Sequence, residues 1–264
     1  MAVKHSINEL SSFALDTIQK TGKEALEFYG KGPSNVKFNE TLVTKAELHL
    51  NSYFQKALNA TYPDHQTFQD RQAEAEYSHD EKRYLWIFDP IDGVDNFQAG
   101  IPVWGMSLAL LENFWPVLGI FYIPVTDDLF HAQAGKKAFW GKQPIGVTTQ
   151  ENVDDESLLL TFSRFHQYYD SSFPGKIRDM GSIGAHVCYV AMGRADAAVT
   201  ANESYKDLAA VRVIIEAAGG KISKIDGGEF HLNDYLDGRK IRDHLVVASP
   251  ENHGQVLRHL TQRS

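Results

Sequence analysis

The chain has 264 residues and sets 26 Lys and Arg against 34 Asp and Glu, a formal net charge of −8. That length accommodates one large domain or two closely joined ones with a sizeable core. A composition of 43% apolar and 23% charged residues excludes a fibrous or disordered chain. The acidic surplus argues against nucleic-acid and anionic-membrane partners, which are held by surplus Lys and Arg. A phosphate-bearing ligand would need compensation from metal ions or helix N-termini.

The N-terminal stretch has apolar residues at helical spacing but lacks the apolar core of about 7–15 residues that marks a secretory signal. No run approaches the ~18 consecutive apolar residues of a membrane span. The single cysteine, Cys188, excludes an intrachain disulfide and reads as a small buried hydrophobe in an apolar run. The cytoplasm is the compartment expected.

Val3, Ile7, Leu10, Ala14 and Ile18 share one helical face, predicting a first helix that ends near Gly30-Lys31-Gly32-Pro33. A second helix is predicted from about Leu42 to Ala60, burying Leu50, Phe54, Ala57 and Leu58, with a short strand over His65–Gln69. From Tyr84 onward the pattern turns to strands at Tyr84–Phe88, Ser107–Leu111, Pro116–Tyr122, Leu129–Ala132 and Ala138–Trp140, spaced as an antiparallel meander. The polar, acidic stretch 146–156 predicts a boundary between an α+β domain over 1–146, carrying the metal-binding loop, and an α/β domain over 147–264. In the second, strands at Leu158–Phe162, Ala195–Thr200, Ile222–Ile225 and Leu245–Ala248 alternate with helices at Ile183–Met192, Leu208–Ala218 and from Pro250.

The most informative stretch is Trp86–Phe97. A buried strand ends in two carboxylates, Asp89 and Asp92, with Pro90 fixing the turn between them and Gly93 after them. Asp95 and Asn96 can cap a short helix that follows. Carboxylates at a strand end, with a carbonyl between them, suit a hard oxygen-seeking cation such as Mg²⁺. The amides of Gly93 and Val94 at a helix N-terminus would face an anion. Cation and anion sites side by side are what metal-assisted phosphoryl chemistry requires. Taken alone, Asp89–Gly93 also reads as a plain turn.

Asp89–Phe97 resembles the D-P-[IL]-D-G-[ST]-x-N-F signature of the inositol monophosphatase superfamily of Mg²⁺-dependent, often lithium-sensitive phosphatases. Downstream, Tyr205–Ala210 through Glu216–Gly220 resembles its W-D-x-A-A…E-A-G-G element. Gly181-Ser182 and Gly193–Ala197 fit its G-[ST]…G-x-A-D-A run, and Gly135–Phe139 its G-x-G-A-F hairpin. The resemblance implies a layered αβαβα sandwich of the sugar-phosphatase type, an antiparallel-sheet half followed by an α/β half. It further implies a cytoplasmic homodimer that hydrolyses a small phosphorylated metabolite with two or three Mg²⁺ ions and a metal-activated water. Inositol or sugar phosphate is the default substrate, with fructose bisphosphate, NADP and adenosine bisphosphate as the family's other options.

Position by position, the resemblance makes Asp89, Asp92, Asp207 and the Ile91 carbonyl metal ligands. Asp92 and Glu47 take catalytic roles, and Gly93, Val94, Ser182 and Asp207 bind substrate. The family's upstream Glu-Glu element is missing; Asp70 falls in its place as a metal ligand, with Glu74 and Glu76 close behind. Asp207 opens the helix expected near Leu208, where it can also serve as an N-cap. Val94 replaces a Thr or Ser whose hydroxyl orients the attacking water, and Lys206 replaces a Trp. Thr200 falls where the inositol enzymes carry an acid, and Ile183 where they carry a small residue. These departures support a second reading, a member with impaired catalysis that binds metal and phosphate or regulates; a structural Ca²⁺ site is a third. No H-E-x-x-H, Cys/His zinc cluster, G-x-S-x-G elbow or G-x-x-x-x-G-K-[ST] loop is present.

Overall fold

Alternation of side chains along the strands sorts the apolar residues into three separate layers. The computed structural model describes residues 4–31, 40–68, 84–150 and 152–263. Val3, Gly32, Pro33, Gln69, Asp70, Glu74 and Glu76 lie outside the described residues.

Helices α1 (Ile7–Leu26) and α2 (Glu40–Thr61) precede β1 (Gln66–Thr67), β2 (Tyr84–Asp92), the short helix α3 (Val94–Ala99), β3 (Gly105–Glu112), β4 (Trp115–Ile123), β5 (Asp128–Gln133), β6 (Ala138–Trp140) and β7 (Gln143–Ile145). The seven strands form one sheet in chain order, with β1 parallel to β2 and every other pair antiparallel. Residues 146–157 lead to a second sheet of five strands. Here follow β8 (Leu158–Thr161), α4 (Phe165–Tyr168), β9 (Tyr169–Ser171), β10 (Lys176–Arg178), α5 (Ile183–Ala191), β11 (Ala197–Thr200), α6 (Tyr205–Ala217), β12 (Lys221–Lys224), β13 (Leu245–Ala248), α7 (Pro250–Arg258) and β14 (Leu260–Gln262). Its order is β10-β8-β11-β13-β12, parallel as far as β11 and antiparallel beyond; β9 and β14 pair separately.

In the first sheet, Trp86, Phe88, Leu108, Leu110 and Ile120 point to α1 and α2. Their neighbours Leu85, Ile87, Ala109, Leu111 and Phe121 point the other way, onto α5 and α6. Those two helices are covered on their far side by Leu160, Ala198, Leu245 and Val247 of the second sheet. The outer face of that sheet, with Leu159, Val199 and Val246, packs on Phe165, Tyr169 and Val256. The period of two thus makes the αβαβα sandwich.

Several boundaries differ from expectation. α1 stops at Leu26, before Gly30, whose amide instead donates to the Phe97 carbonyl. β2 continues past Pro90: its register runs from Asp89↔Ser107 to Asp92↔Gly105, so an extra residue is held as a bulge at Pro90-Ile91. Asp95 and Asn96 lie inside α3 and do not cap it; Gly93, in the left-handed region at φ 87°, is the N-cap. α6 begins at Tyr205, and Ser204 is its cap. The strands β7, β9, β10 and β14 were not predicted, each being only three residues long and too short for a period to register.

Candidate active site

The bulge at the end of β2 turns two carboxylates toward the N-termini of α5 and α6. Asp89 is 4% exposed. Asp92 is fastened to the start of α5: Ser182 Oγ donates to its Oδ2 at 2.5 Å, the Gly184 amide to the same oxygen at 2.7 Å, and the Ile183 amide to Oδ1 at 3.3 Å. Ser182 also caps α5 by accepting from the Ala185 amide at 3.2 Å. A helix N-terminus thereby faces a carboxylate, as its dipole favours.

Gly93 allows that approach. Besides its positive φ, a Cβ there would stand 3.0 Å from the Gly181 carbonyl and 3.1 Å from the Ser182 Cβ. Asn96 ties α3 to the same loop, donating to the Val103 carbonyl at 2.5 Å and the Met180 carbonyl at 2.7 Å. From below, the Met180 amide donates to His186 Nε2 at 3.0 Å. Burial pushes His186 down to about 4, so the ring is neutral and its other nitrogen carries the proton. Asp179 accepts from the Gly181 amide at 2.8 Å and from Ser163 Oγ at 2.5 Å.

α6 supplies the third carboxylate. Asp207, at the third helical position, accepts from the Ser204 amide at 2.7 Å and its hydroxyl at 2.8 Å, a capping box. The preceding residue, Lys206, places Nζ 3.2 Å from Asp89 Oδ1. Glu47 is half-buried on α2, within electrostatic reach of Asp89. Burial raises the Asp89 carboxyl; Lys206 pulls it down, while Asp207 and Glu47 push it up. Burial, with the charge of Asp89, pushes Asp92 up to about 7, against the hydrogen bonds from Ser182 and Gly184.

Asp92 borders a cleft of about 700 Å³, lined also by Gly93, Val94 and Asp95 from the β2–α3 segment, with Ile101, Phe162, Ser163, Asp179–Ile183, His186 and Glu203 around it. Among the described residues the lining holds four carboxylates, Asp92, Asp95, Asp179 and Glu203, and no Lys or Arg. Burial and the charges of Asp207 and Asp92 push Glu203 well above the usual carboxylate range. Thr200 is fully buried in β11 and outside this lining. Glu203 and Asp179 escaped sequence reasoning, because single carboxylates in connecting segments look like any solvated charge.

The donors are carboxylate and carbonyl oxygens, a set suited to Mg²⁺ or Ca²⁺ rather than to a soft metal. Burial and neighbouring carboxylate charge raise Asp89 and Asp92, a situation a cation relieves, and the residues fit one in that sense. Among the described residues no three His, Cys, Asp or Glu side chains converge as a metal site. The reason is visible in their partners: Asp89 is paired with Lys206, Asp92 with α5 and Asp207 with Ser204.

Residues 6–264 match the sequence model of the inositol monophosphatase family. The histidinol-phosphatase of Chlorobaculum parvum is 30% identical over 217 residues, 78% of this chain and 82% of that protein. The inositol-1-monophosphatase of Caulobacter vibrioides is 31% identical over 195 residues, 68% and 72% of the two chains. Among solved structures, the IMPase of Thermotoga maritima superposes with a TM-score of 0.76 at 23% identity, covering 95% of this chain and 96% of that one. At that identity the likeness is one of fold.

Proposed function

The chain belongs to the inositol monophosphatase family, and on that premise we propose that it hydrolyses a small phosphomonoester with the help of Mg²⁺. The observation that carries the reading is the buried Asp89 and the half-buried Asp92 at the end of β2, the latter in the lining of a cleft that is acidic and lacks Lys and Arg among the described residues. A phosphate dianion meets carboxylates and no Lys or Arg in that lining, so it settles there only if cations reverse the local sign.

Asp89, Asp92, Asp207 and the Ile91 carbonyl would hold the ions. Bound divalent cations neutralise phosphate charge and lower the pKa of water. The residues supply the rest. The Gly93 and Val94 amides, at the start of α3, face the phosphate. Ser182 and the Gly184 amide fix the Asp92 carboxylate, and the Ser204 box fixes Asp207. Glu47 of α2, within electrostatic reach of Asp89, is the residue we assign to hold the proton of an attacking water. Asp70, outside the described residues, is the further ligand we assign from the resemblance. The work is mostly positioning and electrostatics, as phosphoryl transfer demands. In this reading the substrate is an inositol or sugar phosphate and the protein a cytoplasmic homodimer.

Val94 favours a second reading, a member that binds metal and phosphate with little turnover, because its side chain offers no hydrogen bond to a nucleophile. Phosphate release from inositol phosphate, sugar phosphates, histidinol phosphate and adenosine bisphosphate, each with and without Mg²⁺, separates the two. Metal-dependent release from at least one is expected; none from any would remove the phosphatase reading.

A further inference from the structure

Lys206 has no duty in the proposed chemistry, yet it sits in the middle of the carboxylates. It lies in the first turn of α6, where a cation opposes the helix dipole and is destabilising on its own. The offset comes from Asp89, 3.2 Å away, whose side chain is only 6% exposed while that of Lys206 is 25% exposed. A pair so withdrawn from water is screened less by solvent and salt than one on the open surface. Its place is set by the chain on both sides. Tyr205 and Leu208 are fully buried, and the Ser204–Asp207 box closes the turn around it, so the helix cannot rotate Lys206 away. Were the ammonium to leave, a buried carboxylate would be left uncompensated.

The Lys206 ammonium, 3.2 Å from Asp89 Oδ1, brings one positive charge to a carboxylate that the phosphatase reading assigns to a divalent ion. We propose that the Lys206 ammonium is a built-in cation of this cradle, standing at Asp89 in place of one divalent ion, so that the chain takes up one ion fewer than the same carboxylates would without it. The inference rests on the phosphatase reading, which assigns the cradle to metal. An ammonium neutralises carboxylate and attracts phosphate, but it is a hydrogen-bond donor rather than a Lewis acid. It therefore takes over the charge-balancing share of the site and leaves water activation to the remaining ion.

Titration of Mn²⁺ into the full chain, with bound ions counted by calorimetry and free ions by electron paramagnetic resonance, tests this without reference to turnover. Lys206→Met is expected to bind one more Mn²⁺ per chain than the unaltered protein, and Lys206→Arg, which keeps the charge, to hold the original count. Equal counts in the unaltered protein and Lys206→Met, whatever the affinities, overturn the inference alone, as does an extra ion in Lys206→Arg. Absence of Mn²⁺ binding in both the unaltered protein and Lys206→Met overturns the metal-dependent phosphatase reading and the inference with it. Circular dichroism melts establish that the variants are folded. Lys206→Gln replaces Lys206→Met if the latter is not, with the same expected count.

Discussion

Val94 divides its duties between backbone and side chain. Its amide opens α3 toward the cleft, while its side chain is half-buried against the α1–α2 layer. Threonine has the same branched shape and adds a hydroxyl, so it can be introduced there with little strain. Val94→Thr is expected to raise turnover by up to ~10²-fold, by analogy with gaining one oriented donor or acceptor at a reacting centre. Phosphate-release kinetics should show the gain in kcat with KM little changed. Lys206 answers to stability as well as to ion count. In metal-free buffer Lys206→Met should lower the unfolding free energy by ~1–3 kcal/mol, the cost of a buried group left without its partner. Added Mn²⁺ should return much of that loss in denaturant melts. Asp89 and Asp92 stand out in the sequence as candidates because Pro90 and Gly93 frame them, and Asp207 because the start of α6 resembles a family motif. Glu203 does not, since only the tertiary fold brings it beside Asp92.

At the level of elements, the helix starts carry the site. Ser204 satisfies the first turn of α6 and at the same time holds the Asp207 carboxylate with two donors. Ser204→Ala should cost ~1 kcal/mol of stability, as loss of a cap does, measured by urea unfolding. It should reduce phosphate release more than that loss implies, because Asp207 is then free to rotate. The sequence contained this box as Ser204-x-x-Asp207, yet the expectation put the helix start three residues later, since one carboxylate can serve as a cap or as the third residue behind one. Pro90 misled in the opposite direction. Proline normally ends strand pairing, but here a bulge absorbs it and β2 keeps its partner as far as Gly105. Long strands such as β3 and β4, rich in apolar residues, are legible in their central parts. Of the three-residue strands, β6 is legible in the meander, whereas β7, β9, β10 and β14 are not, because they exist by pairing rather than by pattern.

Across the molecule, stability is coupled to pH through buried histidines. His65 is 8% exposed, accepts from the Trp86 indole at 2.9 Å through Nδ1, and stacks on Tyr62. Burial, together with the charge of His5, lowers its pKa from the ordinary 6.5 to about 4, with Asp64 opposing. Between those two values the unfolded chain binds the proton and the folded chain does not. Stability present above pH 6.5 is therefore lost progressively as pH falls toward 4, and His186 adds to the same slope. His65→Phe should make the protein less stable at pH 7, through the lost Trp86 bond, but flatten the decline between pH 7 and 5 in denaturant melts.

The helices α5 and α6 begin at the cleft and spend their length between the two sheets, so their starting points are fixed by the deepest packing in the molecule. The cleft's outer rim has a different origin: Ile101, Phe162, Asp179 and Glu203 all stand in segments that merely connect elements. In the phosphatase reading, reactive groups and selective groups are thus inherited from separate parts of the chain. Substrate preference can drift through those connections while the chemistry, anchored in the core, stays where it is.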